Sequence, residues 1–282
     1  MSQITSQLIK ELREITGVGM AKCKEALEAV GGNIDKAIEH LRKAGMATAV
    51  KREGREANEG LIGIGEGPHA VSFVEINSET DFVAQNDKFK QFVKDIANEA
   101  AELQPKSVEE FLKEKCKLDA SLTIDEYRAL LVQSLGENIQ IKRIKIILKK
   151  KEISIGVYSH MGGKLVTAVE MSGGEGHESL ARDISMHIAA EAPEYLKAED
   201  VPSEIKEREK DIARSQIKNK PEQVAEKIVA GKLQAFYDQF CLLDQKYVKD
   251  NSLTIAALLQ NESKTAHKTF EIKHFMRWRI GE

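Results

Sequence analysis

The sequence has little that would mark a secreted, membrane-bound or polyanion-seeking protein. Its three cysteines, Cys23, Cys116 and Cys241, are odd in number and far apart in 282 residues, so they offer neither a disulfide framework nor zinc-ligand spacing. They read as reduced thiols. No stretch approaches the ~20 consecutive apolar residues that cross a bilayer. The opening "MSQITSQLIKELREITG" alternates charge with apolar positions and has no continuous apolar segment of the signal-peptide kind. A cytoplasmic chain without a membrane partner is the expectation. Charge imbalance is missing too: 42 basic against 45 acidic residues leave a net charge of −3, so no global positive field gathers nucleic acid. A local basic patch is compatible with that balance, but no direct nucleic-acid partner is expected.

Catalytic signatures are also absent. None of the seven histidines, His40, His69, His160, His177, His187, His267 and His274, falls into an HExxH, HxxEH or Cys/His ligand spacing. "GGEGHESL" (173–180) is glycine-rich but lacks the lysine of GxxxxGK[ST] and the spacing of GxGxxG, so it reads as a loop running into a helix. "GIGEG" (63–67) reads as part of a hairpin, no GxSxG is present, and Cys23 sits on an apolar helical face where packing explains it. A hydrolase assembled from distant residues would show clustered histidines or paired carboxylates, which the sequence does not. No covalent chemistry, metal or cofactor is expected.

What the sequence does contain is an ordinary globular mixture, 41% hydrophobic and 31% charged. At 282 residues it exceeds the about 100–200 that one core usually serves, so two or three folding units are expected. Residues 4–45 carry three helical stripes: Leu8, Leu12 and Ile15; Cys23, Ala26, Leu27 and Val30; Ile34, Ala37, Ile38 and Leu41. "TGVGM" (16–20) and "GGN" (31–33) separate them, with Asn33 placed to cap the third. This predicts a small three-helix domain over 1–45. Residues 46–59, "MATAVKREGREANE", show no periodicity and read as a linker whose basic residues are solvated charge.

An internal repeat follows. "HAVSFVEIN" (69–77) resembles "KLVTAVEMS" (164–172), with Val71, Val74 and Glu75 recurring as Val166, Val169 and Glu170 at an offset of 95. Each run follows another strand pattern, "GLIGI" from Gly60 and "GVYSH" from Gly156, so each copy opens with a β-hairpin. The helical "FVKDIANEAA" (92–101) resembles "LARDISMHIA" (180–189) at an offset of 88. Each copy closes on an alternating strand, "ENIQIKRIKIIL" (137–148) and "FEIKHFMRWRI" (270–280). The fold class is therefore α+β: two related subdomains with antiparallel sheets, over 60–150 and 151–282. The second contains charged helical runs, 203–218 and 221–240, either side of "NKP", which predict an antiparallel helical hairpin within about 200–250 that serves as a contact arm.

The fall in offset from 95 to 88 means that the first copy holds seven extra residues between hairpin and helix, in or beside "TDFVAQND". A segment present in one copy suggests a task outside the shared scaffold. Two readings of Phe82 are open: a hydrophobic staple tucked into the core with Thr80 or Asp81 as cap, or an exposed aromatic at a loop tip, typical of a binding hot spot.

"LREITGVGMAKCKEAL" (12–27), "VEINSETDFVA" (74–84), "GENIQIKR" (136–143) and "DISMHIAAEAPEYL" (183–196) together resemble the elongation factor Ts family, the bacterial guanine-nucleotide exchange factors for elongation factor Tu. The resemblance spans essentially the whole chain. It implies an N-terminal domain like a ubiquitin-associated (UBA-like) domain, a duplicated core and a coiled-coil hairpin. It also implies elongation factor Tu, GDP-bound and nucleotide-free, as the partner. Thr80, Asp81, Phe82 and Val83 would be the segment that dislodges the partner's magnesium. Val18, Gly19 and Met20 at the first helix junction and His160 in "YSHMGG" (158–163) would be further contacts. A binding module of another kind, recognised through the N-terminal bundle, would not need the seven-residue excess.

Overall fold

The computed structural model describes residues 4–217 and 220–282. They divide into two compact units, one formed by residues up to Lys149 with 162–164 and 279–282, the other by Lys150–Met161 and Leu165–Trp278.

The first unit begins with three helices. Thr5 caps α1 (Ser6–Thr16) by accepting from the Leu8 amide at 3.3 Å, and Gly17 ends it at φ 66°, a left-handed geometry that suits glycine. α2 (Met20–Ala29) follows after three residues, and Asn33 caps α3 (Ile34–Arg52) by accepting from the Lys36 amide at 2.9 Å. Leu12, Val18, Cys23, Ala26, Leu27, Ala37 and Leu41 form the bundle core. Burial raises the pKa of the Cys23 thiol, which suits a packing role.

Residues 46–52 correct the linker reading, because they continue α3 without a break. Gly45 and Ala49 are buried, Met46 packs on the main core, and a Cβ added at Gly45 would stand 3.5 Å from the Ala129 carbonyl oxygen. A contact made by small residues leaves no stripe of large apolar side chains to read. The bundle and the first core therefore belong to one compact unit rather than to two joined by a tether.

The core of this unit is a three-stranded antiparallel sheet of β1 (Glu59–Glu66), β2 (Ala70–Ser78) and β3 (Ile139–Leu148), in the order β1-β2-β3. Between β2 and β3 the chain forms α4 (Asp81–Gln85), α5 (Asp87–Leu103), α6 (Val108–Lys113) and α7 (Ile124–Leu135). α5 lies on β1 and β2, burying Phe89, Phe92, Val93 and Ile96 among Val74, Ile76 and Ile139. A bulge in β3 leaves Lys142 unpaired between Arg143, opposite Glu75, and Ile141, opposite Ile76. The fully buried Glu75 carboxylate thereby meets two cations, Arg143 at 2.5 Å and Lys142 at 3.4 Å.

The second unit repeats the plan. β4 (Ile153–His160), β5 (Leu165–Ser172) and the C-terminal β8 (Glu271–Arg279) form a sheet in that order, with α8 (Glu178–Glu191) on β4 and β5. α9 (Ser203–Ser215) and α10 (Glu222–Phe240) pack on each other, β6 (Lys246–Tyr247) pairs with β7 (Asp250–Thr254), and α11 (Ile255–Ala266) leads into β8. The helix pair lies within 203–240, inside the expected 200–250, and the chain then turns at 241–245 into β6. Asn219 of the expected turn lies outside the described residues.

The duplication recurs at atomic level. Ser72 donates its hydroxyl to the Ala97 carbonyl at 2.5 Å, and Thr167 donates to the Ser185 carbonyl at 2.7 Å, which is the same bond at offsets of 95 and 88. Tyr127 donates to Asp95 at 3.3 Å and Tyr247 to Asp183 at 3.5 Å. Glu99 accepts the Lys117 amide at 2.6 Å, and its counterpart, the buried His187, accepts the Val248 amide through Nδ1 at 3.2 Å. That bond leaves the proton on Nε2, 3.0 Å from Gln245 Oε1, and burial lowers the His187 pKa, so the ring is neutral.

Candidate functional site

The seven-residue excess is folded, not slack. Residues 79–86 separate β2 from α5, whereas only 173–177 separate β5 from α8, and the rest of the excess lies in an earlier start of α5 and a longer end of β2. Thr80 caps α4, its Oγ1 accepting from the Val83 amide at 3.3 Å, and Asn86 then caps α5 by accepting from the Lys88 amide at 2.9 Å. Two consecutive caps fit two helix starts into one short connection.

A helix this short has one face in and one face out. Ala84 is fully buried and Val83 packs partly against the main core, which anchors the turn. Asp81 is exposed, and Phe82 is 83% exposed, more than any other large apolar side chain among the described residues. The staple reading of Phe82 is thus corrected: Phe89 and Phe92 fill the core, and Thr80 alone supplies the cap. Complete burial of a phenylalanine is worth about 1.5–3 kcal/mol. Holding this one out on a capped turn leaves most of that for a partner.

The α1–α2 junction resolves differently from its sequence reading. Val18 is fully buried in the bundle core, so its side chain is removed from the partner-facing set. Gly19 stands at the N-cap of α2 with open space around it, and Met20 is 44% exposed. The Gly17 carbonyl accepts from Lys88 Nζ at 2.9 Å and from Ser134 Oγ at 3.0 Å. Lys88 is in the first turn of α5, so the junction and the Phe82 segment share a hydrogen-bonded support.

His160 belongs to the second unit and ends β4, opposite Leu165 of β5. It is exposed, with Nδ1 3.3 Å from the Tyr158 hydroxyl and the two rings stacked at 6.1 Å. Met161 beside it is 69% exposed at φ 50°, ahead of Gly162 and Gly163. Sequence reading singled out the tip but not Met161, whose left-handed backbone few methionines adopt. Ile15, which its spacing put on the bundle's inner face, is 57% exposed. Among the described residues no group of three or more His, Cys, Asp or Glu could hold a metal ion, and no helix is long and apolar enough to cross a membrane.

The profile of the family described as Elongation factor TS matches residues 79–282, starting at the first residue of the Phe82 segment. Similar proteins named Elongation factor Ts include those of Protochlamydia amoebophila, 54% identical over 282 residues, Chlamydia caviae, 45% over 281, and Chlamydia pneumoniae, 42% over 281; each alignment covers 100% of both chains. The chain belongs to the elongation factor Ts family. A role in translation elongation goes with that membership. The alignments with these relatives also cover residues 1–78, the stretch that includes the helical bundle here.

Proposed function

We propose that this chain is the guanine-nucleotide exchange factor for elongation factor Tu. It binds the GDP-loaded partner, promotes GDP release by displacing the bound magnesium, and leaves a nucleotide-free complex that GTP reloads. The observation that carries this reading is the 83% exposed Phe82 beside exposed Asp81, on a doubly capped turn that only one of two related subdomains possesses.

The chemistry needs no covalent step, so the chain is not an enzyme in that sense. Magnesium neutralises the nucleotide phosphates and is held through oxygen and water ligands, so moving those ligands weakens nucleotide binding sharply. Phe82 supplies apolar area between partner elements, and the Asp81 carboxylate competes for hydrogen bonds around the metal. A factor that binds the nucleotide-free state more tightly than the loaded one must, by linkage, lower nucleotide affinity by the same factor.

Thr80 and Val83 support this action from beneath, as cap and anchor. Gly19 and Met20 of a UBA-like bundle contact the GTPase domain, and His160 contacts a second partner domain. The α9–α10 pair is a coiled-coil arm. Work of this kind is cytoplasmic and involves neither nucleic acid nor membrane directly.

Magnesium dependence tests the mechanism. Stimulation of fluorescent GDP release from elongation factor Tu is expected to be largest in excess magnesium and to shrink in chelator, where release is already fast without help. A fold-stimulation independent of magnesium would contradict metal displacement and point to direct disturbance of the phosphate or base site.

A further inference from the structure

The segment that carries Phe82 is held at Thr80 by a residue 57 positions further along the chain. Glu137 follows Gly136, the left-handed C-cap of α7 at φ 80°. Its carboxylate accepts twice from Thr80: the amide reaches Oε2 at 3.0 Å and the hydroxyl reaches Oε1 at 2.7 Å. In the neighbouring pair the roles reverse, and Glu79 Oε1 accepts the Asn138 amide at 2.6 Å. These bonds begin where backbone pairing of β2 with β3 stops, at Ser78 opposite Ile139. Two side-chain carboxylates, one from each strand, thus continue the ladder for two more pairs.

The pairing also sets the cap. A threonine hydroxyl has one proton and turns freely unless a strong acceptor takes it. Here the charged Glu137 takes the proton, so a lone pair of Thr80 Oγ1 faces the Val83 amide, 3.3 Å away, and starts α4. The same end of α7 grips the bundle. Ser134 donates to the Gly17 carbonyl at 3.0 Å, and the Gln133 carbonyl accepts from Lys22 Nζ at 3.2 Å.

We propose that Glu137 is a positioning residue for exchange: acting through Thr80, it holds α4 so that Phe82 meets the GTPase in one orientation. The proposal rests on the exchange function proposed above. Glu137 itself is half-buried with its carboxylate committed to Thr80, so its effect is pre-organisation, which removes the ordering cost from the binding step. Its loss slows release at saturating factor more than it raises the concentration needed for half-maximal effect.

The test uses the full chain with Glu137→Ala, Phe82→Ala and the double variant, read by release of fluorescent GDP from elongation factor Tu. Glu137→Ala is expected to lower the maximal rate about tenfold, the effect of losing a hydrogen bond to a charged group. Glu137→Gln, which keeps one acceptor, recovers part of it. The double variant is expected to be no slower than Phe82→Ala alone, because a residue that acts through Phe82 has nothing left to position. Hydrogen exchange at the Val83 amide speeds up in Glu137→Ala while the melting temperature moves little. Thr80→Val, which replaces the hydroxyl with a methyl and keeps the backbone amide, gives the same pattern and serves if Glu137→Ala fails to fold. A slow Phe82→Ala beside a Glu137→Ala at the native rate, or additive losses in the double variant, overturns the proposal alone. A Phe82→Ala at the native rate overturns the exchange reading itself, and unchanged Val83 protection in Glu137→Ala then overturns the positioning claim independently.

Discussion

Replacing Asp81 and Phe82 together by alanine is expected to cut stimulated GDP release from elongation factor Tu by about ten- to a hundredfold while the chain melts where it did before. The size follows from burial: a phenylalanine side chain transferred into a partner is worth about 1.5–3 kcal/mol, and each 1.4 kcal/mol is a factor of about ten. The unchanged melting follows from geometry, because Phe82 is 83% exposed and Asp81 makes no core contact, and surface substitutions of that kind stay within about 0.5 kcal/mol. Release kinetics and thermal denaturation on the same preparations check both halves. Release at the native rate, or a variant that has lost its cooperative unfolding, would contradict it.

The repeat was the most legible feature of the sequence, and the reason is physical. Alternation and helical spacing record which side of an element faces a core, and both copies solve the same problem of a helix on a three-stranded sheet. The matched bonds of Ser72 with Ala97 and of Thr167 with Ser185 are that shared solution. The length excess was legible for the same reason, since it interrupts a pattern that is otherwise constant.

What the sequence did not disclose depends on partners far along the chain. Phe82 faces out because Glu137 fixes Thr80, and nothing near residue 82 records that hold. Val18, between two glycines, has no period to place it, and only the closure of the bundle buries it. The last turns of α3 look like a linker because Gly45 and Ala49 pack through smallness rather than through bulk.

Glycine in the hairpins carries the second large effect. Gly65→Val is expected to cost more than about 3 kcal/mol, enough to unfold the first core at moderate temperature. A Cβ at Gly65 would lie 2.0 Å from the Ala97 carbonyl oxygen and 2.6 Å from Ser72 Oγ, so α5 would have to lift from β1. The displaced face includes Phe92, Val93 and Ile96, and overpacking at a backbone contact has no flexible side chain to absorb it. In the second copy a Cβ at Gly156 would lie 2.0 Å from the Ala181 carbonyl carbon, and Gly156→Val is expected to act alike there. Urea denaturation followed by far-ultraviolet circular dichroism reads both. A stable Gly65→Val would mean that the close helix–strand approach is not what holds this subdomain together. The contrast with Phe82 is the useful part, since a scaffold residue removes folding and exchange together, whereas a contact residue removes exchange alone.

The most direct measurement is the rate at which fluorescent GDP leaves elongation factor Tu, in excess unlabelled GDP and magnesium, with and without the full chain. Acceleration that rises with the concentration of the chain to a plateau, and that disappears with Asp81→Ala and Phe82→Ala, is the expected result. The same spontaneous rate at every concentration of correctly folded chain would contradict the exchange function.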